Sequence, residues 1–67
     1  MRKRLYSKGR IIDIVVHPVR GGGWTSHFDI EDHRTSRPFA THYELGKVFM
    51  SPQAAVDVAI RQAKMRI

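Results

Sequence analysis

Residues 10–31, RIIDIVVHPVRGGGWTSHFDIE, decide the fold. Ile11, Ile12, Ile14, Val15 and Val16 are β-formers, so residues 10–16 read as a strand. Pro18 weakens its end, because proline donates no ladder hydrogen bond. Arg20-Gly21-Gly22-Gly23 is the clearest turn signal in the chain. A second strand is expected over about 23–31. There Trp24, Phe28 and Ile30 alternate with Thr25, His27, Asp29 and Glu31. Setting Val16 across from Phe28 gives both strands one apolar face and leaves Gly21 to Gly23 as the loop.

Outward from this hairpin, residues 1–9 carry Arg2, Lys3, Arg4 and Lys8, with only Leu5 and Tyr6 as sizeable apolar groups past Met1. They read as a basic flexible arm, and residues 10–67 as one domain. Residues 32–38 form a polar loop holding Arg34 and Arg37. A third strand spans about 39–45. Residues 47–50 either prolong the pairing or form a short fourth strand. Ser51-Pro52 opens a helix expected to reach about residue 66, since serine caps free amides and proline suits the first helical position. Val56, Ala59, Ile60, Ala63 and Ile67 form its core stripe. The expected fold is a two-layer α+β domain of order β-β-β-α, a three-stranded antiparallel sheet covered on one face by a C-terminal helix.

Leu45-Gly46, Phe49, Ala54-Ala55 and Ala59 follow one another here, with Trp24 in the second strand. This pattern resembles plant ethylene-response DNA-binding domains. The layout is similar to phage integrase arm-binding domains and to HicB-like small bacterial proteins. The resemblance implies a sheet-plus-helix domain and a nucleic-acid partner. It carries no contact residue over. Those families place Arg and Trp on the open sheet face, and this chain places Asp13, Asp29, Glu31 and Glu44 there.

The chain is short, 67 residues, with twelve Lys and Arg against six Asp and Glu, a net charge of +6. A domain this small hides only about 60% of its unfolded surface. There is no cysteine, so disulfides and thiolate zinc sites are excluded and a reducing compartment is favoured. No apolar run approaches the roughly 20 residues of a membrane span, and none follows the basic N-terminus as in a secretory signal. The expected location is the cytoplasm, without membrane contact.

The positive charge favours an acidic partner. The glycine run precedes a strand rather than a helix, so it is no phosphate cradle. No nucleophile elbow is present, and a two-layer sheet of this size offers little concavity, so no enzyme activity is expected even with His33 beside Arg34 and Arg37. His17, His27 and His42 share the open face with Asp29 and Glu44. They read as solvated groups, and neither a metal nor another cofactor is implied.

The expected function is a non-enzymatic basic module that contacts nucleic-acid backbone phosphates. Its candidate residues are Arg2, Lys3, Arg4, Lys8, Arg10, Arg20, Arg34 and Arg37. Tyr6 and Phe39 are the aromatics left free of the core for stacking. The alternative is a protein-interaction module, a homodimer formed through the helix stripe Ala54, Val58 and Met65 or through an edge strand.

Overall fold

The computed structural model describes residues 1–34, 36 and 39–67. Strands β1 (Arg2–Ser7), β2 (Arg10–Pro18), β3 (Trp24–Asp32) and β4 (Phe39–Glu44) form one antiparallel sheet in the order β1-β2-β3-β4. Helix α1 (Pro52–Lys64) follows. The fold is α+β as expected, with one correction. The fourth strand comes from the first nine residues, not from 47–50. Residues 2–7 pair along their whole length with β2, from Arg2 opposite Val15 to Ser7 opposite Arg10. Residues 47–50 contribute a single bridge, in which Phe49 and Trp24 exchange backbone hydrogen bonds of 2.6 and 2.8 Å.

The central hairpin keeps the expected faces but shifts its register by two residues. Val16 lies opposite Ser26, and Ile14 opposite Phe28. Five residues, Val19 to Gly23, make the connection. A two-residue slip preserves which side chains point inward, because strand side chains alternate with period two. Gly23 is required where it stands. Its φ is +88°, and a Cβ there would lie 2.3 Å from Val48 Cγ1.

Ile12, Ile14, Val16, Phe28 and Ile30 make the sheet's half of the core. Ala55, Val56, Ala59 and Ala63 make the helix's half. Alanine at three of those four positions lets the helix approach closely. Ser26, fully buried, uses this proximity to donate from Oγ to the Ala55 carbonyl at 3.0 Å. Ser51 Oγ accepts from the Ala54 N–H at 3.1 Å, and Pro52 opens the helix, as the sequence predicts. Among the described residues, the helix backbone approaches β2 and β3 and not the flanking strands. On the β4 side, Tyr43 stacks on Phe28 with ring centroids 5.0 Å apart. The Arg66 guanidinium closes over Tyr43 at 4.6 Å.

Candidate functional site

The turn between β1 and β2 is Lys8-Gly9, and both residues have positive φ, +52° and +77°. Such a two-residue turn follows the natural twist of a hairpin. It projects Lys8 from one end of the sheet. The chain leaving β3 returns to the same end, where His33 N–H donates to the Gly9 carbonyl at 3.4 Å. Arg34 lies against Gly9 so closely that a Cβ on Gly9 would sit 2.8 Å from Arg34 Cγ.

Asp32 anchors this end. It is 8% exposed. Arg34 donates to it from Nε at 3.1 Å, from Nη2 at 2.9 Å and from its backbone N–H at 2.9 Å. Arg10, its cross-strand partner, places Nε 3.8 Å from Oδ2. The side-chain and backbone hydrogen bonds from Arg34 hold the Asp32 carboxyl down to about 2, against the desolvation that would raise it. Two guanidinium groups thus share one carboxylate, and a net positive charge remains. The Arg34 side chain stays 54% exposed while that of Arg10 is only 16% exposed. Arg10 also donates from Nη1 to the Lys8 carbonyl at 3.2 Å, which ties the turn to the strand. Lys8 Nζ reaches the Ile67 carbonyl at 3.4 Å. The helix therefore ends here too, with Arg61 and Lys64 in its last turn.

Beside this cluster, on the face turned away from the helix, lies an open concavity of ≈ 370 Å³. Tyr6 and Ile11, paired across β1 and β2, line it with the turn residues and His33. Tyr6 is 72% exposed.

The structure divides the eight cations expected from sequence. Lys8, Arg10 and Arg34 come together. Arg20 lies past the opposite end of β2, a nine-residue strand and thus about 30 Å away, and Arg2 pairs with Val15, about 17 Å along the strand from Arg10. Lys3 sits on the β1 edge opposite Ile14. Arg4 grips Asp13 from Nε at 2.7 Å and Nη2 at 3.1 Å. Arg37 lies outside the described residues. Phe39 is 57% exposed at the start of β4. In the dimer stripe, Ala54 and Val58 are half-buried and Met65 is 73% exposed.

The four acidic residues of the open sheet face all have partners. Asp13 has Arg4, and Glu31 has His33 Nε2 at 2.6 Å. Asp29 and Glu44 hold the two nitrogens of His42 at 2.6 and 2.9 Å. A ring that donates from both nitrogens is an imidazolium. The hydrogen bonds to Glu44 and Asp29 accordingly raise the His42 pKa. The rings of His17, His27 and His42 run in a row with centroid spacings of 5.8 and 5.0 Å. Among the described residues, no group of three or more His, Asp or Glu side chains is placed to hold a metal ion. Among the described residues, no helix is long and apolar enough to cross a membrane.

The residues that sequence reasoning missed at this end are Asp32 and Gly9. Lys8-Gly9 is the only local signal for the turn, and lysine is a weak marker for a left-handed position. The sharing of Asp32 depends on two loops meeting, which no short motif encodes. Compared with family models, with curated proteins and with solved structures, the chain matches none.

Proposed function

We propose that the protein is a non-enzymatic nucleic-acid-binding module that docks backbone phosphates on the end of the sheet formed by Lys8, Arg10 and Arg34. One observation carries this reading: two guanidinium groups from separate segments share the Asp32 carboxylate, and Arg10 ties the Lys8 turn to the same end through the Lys8 carbonyl. Arg34 and Lys8 make the contact. Arg10 and Asp32 hold Arg34 in place. Arg2, Lys3, Arg20 and Lys47 add long-range attraction from elsewhere on the surface. The carboxylates of the open sheet face, held in ion pairs, are not part of the phosphate contact.

Fluorescence anisotropy of labelled duplex DNA, single-stranded DNA and RNA tests this at two salt concentrations. Expected is binding that weakens with salt by a log–log slope of about −0.9 per duplex phosphate neutralised. Combining Lys8→Glu with Arg34→Glu should abolish it, whereas Arg20→Glu should weaken it only modestly. Equal losses from both changes would overturn the placement of the site.

A second reading is supported by the β4 edge. The Leu45 N–H donates inward to Ser26, so in this ladder Ala40, His42 and Glu44 turn their backbone groups outward. Strand β4 carries no Lys, Arg or Pro, whereas the opposite edge is guarded by Arg2, Lys3 and Arg4. On this reading the protein is a homodimer through β4 or the Ala54, Val58 and Met65 stripe. Light scattering on the wild type and on Val58→Glu checks both surfaces. A monomer at all concentrations would dismiss the dimer.

A further inference from the structure

We infer that the concavity beside the basic end receives an unstacked base, so that the nucleic acid bound is single-stranded. This rests on the phosphate-docking reading above and specifies its ligand.

The argument begins with Tyr6. Its ring is 72% exposed on an edge strand, and its cross-strand partner is half-buried Ile11. Together they form an apolar wall on one side of a space of ≈ 370 Å³. His33, whose Nε2 lies 2.6 Å from Glu31, also lines it. The space is open, so a flat group can enter from solvent without any rearrangement of the backbone.

The surrounding charge is asymmetric. Glu31 lies opposite Ile11 in the ladder and borders the sheet side of this space. Lys8 and Arg10 line it at the end of the molecule, where Arg34 packs against Gly9, another lining residue. A phosphate is therefore drawn to the end and repelled from the sheet face. Tyr6 and Lys8 both line this space, with Ser7 alone between them in the chain. A nucleotide has the matching arrangement, a flat base joined through one sugar to a phosphate. In a duplex the bases face one another and their rings are stacked inside, so Tyr6 would find nothing to stack on. A single strand offers both halves at once, and stacking of this kind tolerates any base.

The test compares three ligands of equal length by anisotropy at near-physiological salt: oligo-dT, the same backbone made of abasic sugars, and a duplex. Wild-type protein should bind oligo-dT more tightly than either of the others. Tyr6→Ala should weaken oligo-dT binding by about 5- to 100-fold, the range for one stacked base. It should leave abasic binding unchanged, and Tyr6→Phe should retain wild-type affinity. The double change Lys8→Glu and Arg34→Glu should weaken all three ligands together. The inference is overturned, with phosphate docking intact, if oligo-dT and the abasic strand bind alike or the duplex binds as tightly as oligo-dT. It is equally overturned if Tyr6→Ala changes nothing. If no ligand binds, both readings fail. Because the three-ligand comparison uses wild-type protein, it decides the matter even if a variant folds poorly.

Discussion

Gly9 and Arg34 are in contact across the end of the sheet, and the glycine's missing side chain is what admits the arginine. The pair links two loops that are distant in sequence. It makes the simple turn of β1 and β2 part of the proposed binding surface. Gly9→Ala therefore acts twice. A side chain at φ +77° costs about 1–2 kcal/mol, and a Cβ 2.8 Å from Arg34 Cγ pushes the guanidinium group out of place. Urea denaturation should register the first effect, and anisotropy should register weaker nucleic-acid binding.

Ser26 is the point of closest approach between sheet and helix, fully buried with Oγ bonded to the Ala55 carbonyl. Ser26→Ala should cost about 1 kcal/mol, the worth of one intramolecular hydrogen bond. Ser26→Leu should cost more, about 1–3 kcal/mol or above, because the helix has no room to retreat from a filled position. Equal denaturation midpoints for these two variants would contradict the close packing.

Phe28 carries the largest side chain in the core, packed between Ile14 across the strand and the Tyr43 ring at 5.0 Å. Phe28→Ala should cost about 3–5 kcal/mol. In a domain with a core this small, loss of the cooperative thermal transition is the expected outcome, measured by far-ultraviolet circular dichroism against temperature.

The two ends of the pH scale report on different residues. The folded Asp32 pKa, about 2, lies below the ordinary 3.8. Its contribution to stability is therefore complete above about 3.8 and lost as the pH falls through about 2. His42 behaves in the opposite sense, because its pKa is raised in the fold. Its contribution is complete below 6.5, the unfolded value, and disappears as the pH climbs through the folded value. Thermal melts from pH 2 to 9 should show both limbs. Asp32→Asn should shrink the acid limb to the part left by Glu44, whose pKa the His42 hydrogen bond also lowers, and His42→Gln should remove the neutral limb.

Much of the fold was legible because its signals are local. The alternation through Trp24, Phe28 and Ile30 and the Ser51-Pro52 cap each lie within a few residues, and both predicted elements are present. Strand β1 was illegible for a physical reason. Its sequence RKRLYS reads as a solvated arm, and charge on an edge strand is what prevents pairing with further chains. The same omission concealed the partner of Asp13, and so made the open face look more acidic than it is. The register of the β2–β3 hairpin was misread by two residues because face parity alone cannot tell one even shift from another. At the candidate site, the charge of Lys8, Arg10 and Arg34 was visible, and its convergence was not. Sequence grouped them with Arg2 and Arg20, which the length of β2 carries away from that end.

The helix spans only the two middle strands, while the turn bearing Lys8 hangs from a strand beyond its cover. Protection of amide hydrogens from deuterium should therefore be graded across the sheet, strongest in β2 and β3 and weakest in the flanking strands β1 and β4. The segment proposed to meet the ligand is thus part of one of the two strands that open most often. A strand of nucleic acid that bridged Lys8 and Arg34 would fasten that loose border to the rest of the molecule, and binding would be felt as rigidity along the whole of β1.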